Sequence, residues 1–285
     1  MDSVDSIVAN TRLREWQVPT TVGVSGPIGH GKSTVARMLG EKFGHTEIAF
    51  ADHLRDVCNT LLGVPFIALT DRTLKNAPLV GSANGHVLPF DLRDPVALNA
   101  QIDRTLALAY FTTYEIFANA ETAAGVVKVG GGDLEPARVR RGVQMLFLRH
   151  IWVPLRNGRI FTPREIMQLV GTEIFRAVDP PIWVWAWTKQ AEDYGLTVVS
   201  DLRFPNEFAM LRERKAMCIK VTRPGQFVDK GHVSEGLLDS HKFDVAIVND
   251  GTLDDLWQAL CETLDIYADL HKADVDTGYA KLITA

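Results

Sequence analysis

Gly26-Pro27-Ile28-Gly29-His30-Gly31-Lys32-Ser33 follows the spacing G-x-x-x-x-G-K-[ST]. These residue types suit one task, the binding of phosphate. Without a Cβ, the glycines let successive backbone N–H groups turn inward around an anion. Lys32 adds a point charge, Ser33 offers a hydroxyl to Mg²⁺, and the helix that follows presents its positive end. Contacts to a bound nucleotide are therefore expected over Gly26, Gly29, His30, Gly31, Lys32, Ser33 and Thr34.

Two further segments carry chemistry. In "LTVVSDLRFPNE" an apolar run ends at Asp201, the arrangement of a carboxylate that holds Mg²⁺ through water. Arg203 then either reaches phosphate from the same edge or pairs with Glu207. In "TPREIMQLVGTEIFRAVDPPIWVWAW", Thr162, Pro163 and Glu165 form the capping box of a helix. Arg164, Gln168, Thr172 and Arg176 recur along it as one polar stripe, which is either a phosphate grip or a solvated face. On an unbroken α-helix Arg164 and Arg176 would stand roughly 18 Å apart, too far to share one phosphate directly. Gly171 between them is where an interruption is expected. Trp183, Trp185 and Trp187 alternate with smaller residues; at least one belongs to the core, and a ring in this segment suits a nucleotide base.

These residues need a frame. "TTVGVS" (20–25) reads as a short buried strand, and "TEIAF" (46–50), "LTVVS" (196–200), "MCIKVT" (217–222) and "DVAIV" (244–248) read as further short strands. Helical patterns separate most of them, over 33–43, 163–177, 182–193, 205–214 and 253–270. Asp52 is placed to cap the helix "HLRDVCNTLLG". The alternation predicts an α/β fold, a parallel five-stranded sheet flanked by helices. Residues 1–81 and 159–285 form this core in the sequence reading, and 82–158 form a mostly helical insertion around the turn "KVGGGD". Its apolar faces, in "LALAYFTTYEIF" and "VQMLFLRHIW", must be covered by the core or by another subunit, and a homodimer is expected.

Composition removes several classes. Apolar residues make up 46% and charged residues 23% of 285, an ordinary globular balance, and no apolar run nears membrane-spanning length. A net charge of −5 gives no overall basic field for a nucleic-acid polymer or an acidic lipid surface. Cys58, Cys218 and Cys261 lack CxxC spacing and read as reduced and buried. The polar start "MDSVDSIVANTRLREW" is not a secretory leader, so a cytoplasmic protein is expected. No Cys/His cluster suggests a structural metal; His232 and His241 are too far apart for a helical pair.

Taken in order, the P-loop, "FADHLRD", "DRTLKNAPL", "TPREIMQLVGTEIFR", "PPIWV", "VVSDLRFPNE", "VTRPG", "HVSE" and "VAIVNDGTLDDL" resemble the deoxynucleoside monophosphate kinases of bacteriophages. The resemblance covers about residues 20–81 and 160–265. It implies a P-loop kinase fold, ATP and Mg²⁺ as donor, and a deoxynucleoside 5′-monophosphate (dNMP) as acceptor, in the cytoplasm of an infected host. It implies too that Lys32 and Ser33 serve ATP and Mg²⁺, with Arg223 near the donor adenine or phosphates. Asp52, Lys75, Arg164, Gly171, Thr172 and Trp183 are placed by it around the acceptor. Lys32, Arg164, Arg176 and Asp52 are then the candidates for catalysis, Asp52 as a binder of sugar hydroxyl or Mg²⁺-bound water. A kinase for another small acceptor shares the P-loop and Asp52 but gives no reason for the Arg164 segment. An ATP-hydrolysing switch would need a water-positioning residue instead.

Overall fold

The computed structural model describes residues 15–79, 88–91, 93–120, 129–130, 134–225, 236–270 and 279–283. They belong to two compact units, Met1–Ala49 with Ala191–Ala285, and Phe50–Gln190. The boundaries of the insertion expected from sequence, 82 and 158, both fall within the second unit.

In the first unit, strand β1 (Glu15–Pro19) pairs with the last strand, while β2 (Thr21–Ser25), β3 (Thr46–Glu47), β4 (Thr197–Val199), β5 (Met217–Thr222) and β6 (Val245–Val248) form the sheet. Its order is β3-β4-β2-β5-β6 and every neighbour is parallel. β7 (Tyr279–Ile283) runs antiparallel to β1 as a separate pair. All of β2 is buried, which is why its sequence lacks polar alternation. Helices Lys32–Phe43 and Leu253–Leu270 bring Val35, Leu39, Phe43, Leu256, Leu260 and Leu264 into one core with Val22, Val24, Ile219 and Ile247. Each strand–helix pair runs in the same sense, so all five strands end on one edge.

"TEIAF" departs from expectation. Only Thr46 and Glu47 form the strand, although the Ile48 N–H still donates to the Val198 carbonyl at 3.0 Å. The chain turns helical at Phe50, so Asp52 lies inside the first turn rather than capping it. A carboxylate there still favours the positive end of the helix. Of the cysteines, Cys58 and Cys218 are buried, and burial pushes the Cys218 thiol up to about 12. Cys261, expected to be buried, is only partly covered.

The second unit is helical, with Phe50–Leu62, Phe66–Thr70, Pro95–Ala109, Tyr114–Ala118, Pro136–Phe147, Pro163–Gln168 and most of Ile182–Ala191. Two helices widen to i→i+5 bonding, over Leu148–Trp152 and over Leu169–Arg176. The expected break at Gly171 is absent: Pro163 to Arg176 is one continuous helix that changes its hydrogen-bonding step. Leu106, Ala107, Ala109, Tyr110 and Phe117, with Val143, Phe147 and Ile151, are buried in this unit's own core. Packing within the unit thus covers part of the apolar faces that suggested a homodimer, while Phe111, Tyr114 and Met145 of the same stretches stay exposed. The motif "HVSE" and most of "KVGGGD" lie outside the described residues. Among those described, no helix is long and apolar enough to cross a membrane.

Polar ties fix the helices of this unit. Asp103 is 3% exposed and receives both Nε (2.5 Å) and a terminal nitrogen (3.0 Å) of Arg140. Gln101 donates to the Thr60 carbonyl, and Gln144 to Asn99 at 2.6 Å. A carboxylate so deeply placed needs such pairing, since an unpaired buried charge costs several kcal/mol.

The helix bearing Arg164 starts as its sequence requires. The Glu165 carboxylate accepts the Thr162 N–H at 2.8 Å, and the Thr162 hydroxyl accepts the Glu165 N–H at 3.2 Å. The backbone bond to Thr162 holds the Glu165 carboxyl below its ordinary range. A depressed folded-state pKa adds stability above the unfolded carboxylate pKa, and that contribution is lost as pH falls through the folded value. Thr162→Ala is expected to cost about 1 kcal/mol near neutral pH. Urea midpoints should show that loss, and the gap to wild type should narrow on acidification.

Candidate functional site

The glycine loop joins β2 to the helix Lys32–Phe43. Gly26 and Gly31 hold φ of 147° and 108°, backbone that other residues adopt rarely. A Cβ on Gly26 would lie 2.1 Å from the Val221 carbonyl oxygen, and one on Gly31 would lie 2.5 Å from Nδ2 of Asn249. The glycines are therefore required by the neighbouring strands as well as by the turn. Thr34 and Val35 N–H groups both donate to the Gly31 carbonyl at 3.0 Å, so the helix begins at once and its first N–H groups face the loop. Lys32 is buried, and its ammonium donates to the carbonyls of Gly26 and Pro27, the latter at 2.7 Å. Ser33 stands exposed beside it.

Loop shape is fixed from β5 and β6. The Asn249 amide donates to the His30 carbonyl at 2.9 Å, and the Arg223 N–H donates to Nδ1 of His30 at 2.8 Å. His30 is thus turned toward the end of β5, its ring a brace for the loop. Asn249 was not singled out in the sequence. Its signal was positional: it directly follows β6, on the edge where the P-loop begins.

The second carboxylate sits on that same edge. The register pairs Thr21 with Thr197 and Gly23 with Val199; continued by two residues, it sets Ser25 level with Asp201. The Ser25 hydroxyl donates to the Leu202 carbonyl at 2.9 Å, tying the P-loop strand to the segment after Asp201. Asp201 and Ser33 supply oxygen donors of the kind Mg²⁺ takes. Glu207 is buried and accepts the N–H groups of Arg203 and Phe204, each at 3.0 Å. It closes the start of helix Pro205–Glu213 through the backbone of Arg203. Arg223 is exposed just past β5.

Of the residues expected to bind the acceptor, Asp52, Lys75, Arg164, Gln168, Gly171, Thr172 and Trp183 belong to the second unit, and Arg203 to the first. Nε of Arg164 donates to Asn76 at 2.8 Å, and the Leu79 N–H to the Phe161 carbonyl at 2.9 Å. Two segments far apart in sequence, "LKNAPL" and "FTPRE", are thereby brought together, with Lys75 next to Asn76. Asp52 pairs with Arg55 one turn along its helix. Leu54 of that helix covers Gly171, whose carbonyl accepts the indole N–H of Trp183 at 3.0 Å. Trp183 is 2% exposed and contacts Phe175, so it packs the core instead of presenting a ring face. Gln168 is exposed, while Thr172 and Arg176 are half-buried on the widened part of the helix. Arg164 and Gln168 thus precede or start the change of step, and Arg176 ends it.

A family model described as deoxynucleotide monophosphate kinase matches residues 21–260. The chain is 32% identical over 109 residues to the deoxynucleotide monophosphate kinase of Enterobacteria phage T4, and 30% over 103 residues to that of Escherichia phage RB69. It is 29% identical over 119 residues to a protein of Acanthamoeba polyphaga mimivirus provisionally given the same name. These matches take in 36%, 34% and 36% of this chain, and 45%, 42% and 62% of the respective relatives. The chain spans less than two thirds of the length of each.

Asn249→Ala removes a brace without touching the loop itself. The expected result is weaker binding of an adenine nucleotide triphosphate, by roughly five- to tenfold, the worth of about one hydrogen bond. Isothermal titration of wild type and variant checks it.

Proposed function

The chain belongs to the deoxynucleotide monophosphate kinase family, and from that premise we propose that it transfers the γ-phosphate of ATP to a deoxynucleoside 5′-monophosphate. The products are ADP and the deoxynucleoside diphosphate. The observation that carries this reading is the P-loop, where a buried lysine and a helix start converge on one point beside a strand-end aspartate.

An acceptor phosphate has a second pKa of about 6, so near pH 7 its oxygen is already a nucleophile and needs little help from a base. As that oxygen bonds to the γ-phosphorus, the bond to the β–γ bridging oxygen breaks and ADP departs with its electrons. The protein's task is alignment and neutralisation of charge. Lys32 exchanges loop carbonyls for phosphate oxygens. Ser33 and Asp201 would hold Mg²⁺, which would supply charge neutralisation for the donor phosphates. Arg223 serves the donor side, and Arg203 binds substrate phosphate. Arg164 and Lys75 hold the acceptor phosphate, Gln168, Thr172 and Asp52 its surroundings, and Arg176 the transferring group. The pairing of Asp52 with Arg55 supports a role as hydrogen-bond acceptor for a sugar hydroxyl rather than as a proton acceptor. The named relatives are viral, which supports nucleotide supply in the cytoplasm of an infected cell as the setting.

ADP formation with and without each dNMP is the first test, and release that ignores the acceptor would point to an ATP-hydrolysing switch. Lys32→Met should abolish transfer while leaving the circular dichroism spectrum intact; near-normal turnover would end the P-loop reading. Arg164→Ala should raise the dNMP KM at least about tenfold, about 1.4 kcal/mol, with the ATP KM little changed. Arg176→Ala should instead depress kcat, because its contact strengthens as charge shifts in the transition state. Steady-state kinetics with each substrate varied in turn separates the two.

A further inference from the structure

With Trp183 enclosed in the core, a nucleobase needs another ring. We propose that Phe111 supplies it, as the aromatic face on which the base of the acceptor nucleotide stacks. This assignment of base recognition rests on the kinase reading above.

Phe111 is 47% exposed, yet its ring is not loose. It stacks on His53 with centroids 4.4 Å apart and planes at 14°, and meets Trp185 edge-on at 5.5 Å. One side of the ring is thus backed by protein, and nearly half of the residue remains in solvent. A stacking platform requires that combination. The backbone adds an independent sign. Phe111 has φ of 48°, the left-handed region, where a bulky aromatic residue is an outlier and glycine would be at ease. Hydrogen bonds from the Phe111 N–H to Leu108 at 3.1 Å and from the Thr112 N–H to Ala107 at 2.9 Å hold it there.

The backing ring is suited to its place. His53 is buried, its Nε2 lies 3.3 Å from the Ala109 carbonyl, and burial lowers its pKa, so an uncharged ring lies against Phe111. Asp56 is the acidic neighbour, 3.8 Å from Nδ1. His53 directly follows Asp52, and its ring meets Trp183 edge-on at 6.4 Å; Trp183 in turn holds the Gly171 carbonyl. Phe111 is therefore connected through two rings to the widened helix at Gly171, and through His53 to Asp52, both residues assigned to the acceptor. Flat stacking takes any base, purines more strongly because their rings are larger.

The test compares wild type with Phe111→Gly and Phe111→Tyr, measuring the KM of dGMP and dTMP and the inhibition constant of 2-deoxyribose 5-phosphate, which lacks a base. Glycine relieves the backbone at this φ, so loss of the ring is not confused with loss of the fold; melting temperatures verify this. Phe111→Gly should raise the dGMP KM at least about tenfold, the dTMP KM less, and leave the sugar phosphate and the ATP KM unmoved. Phe111→Tyr should behave as wild type. Unchanged dNMP KM values in an active Gly variant, or an equal weakening of the sugar phosphate, overturn the assignment. A wild type whose ADP formation ignores every dNMP overturns the kinase reading and this inference with it.

Discussion

A site made from backbone N–H groups and an ammonium collects positive charge around one point, and the loop opposes only part of it, through the Gly26 and Pro27 carbonyls that accept from Lys32. The carboxyl edge of the sheet supplies the rest. The Val221 carbonyl sits where a side chain of Gly26 would be, and Asn249 and Arg223 fasten His30. These partners come from β5 and β6, and Asp201 from the end of β4 on the other side. Parallel pairing is what delivers all of them to one edge, because every strand then finishes there. An antiparallel neighbour would have sent its polar end residues to the opposite side.

The second unit meets a different constraint, that of holding polar and charged residues among helices with few backbone groups to spare. It does so through pairs made across helices: Asp103 with Arg140, Asn99 with Gln144, and Arg164 with Asn76. The last of these matters for chemistry. An arginine already restrained loses less freedom when it meets a phosphate, so part of the ordering cost is met in folding. Burial acts in the other direction on Asp56, raising its carboxyl pKa beside the neutral His53.

Sequence made the frame legible where local rules and tertiary structure agree. The helix Leu253–Leu270 has the bounds its periodicity implies, and the structure adds a cap in which Thr252 and Asp255 exchange hydrogen bonds. The buried strands were readable as apolar runs because a parallel sheet covers both faces. "TEIAF" was not, since a short apolar run looks alike as a strand end and as a helix start. The alternation of tryptophans left open which of them is core, because it carries no information about which one finds a carbonyl partner, as Trp183 does with Gly171. His30 and Asn249 illustrate the same limit: their bond joins residues 219 apart in sequence, and only the register of the sheet brings them together. The grouping of Phe50–Gln190 was hidden for a similar reason, as it depends on which distant helices touch.

The widened segment Leu169–Arg176 separates the meaning of length from that of composition. In an α-helix each residue advances about 100° around the axis, whereas i→i+5 bonding spreads a turn over more residues and so advances less per step. The segment therefore works as a phase adjuster: it sets the angle at which Arg176, and the chain leading on to Trp183, leaves relative to Arg164. Deleting a single residue here would return the helix to ordinary pitch at nearly the same exit angle, since seven α-helical steps of about 100° turn the chain roughly as far as eight wider ones. What the extra residue changes is the set of side-chain directions within the segment, among them those of Thr172 and Arg176.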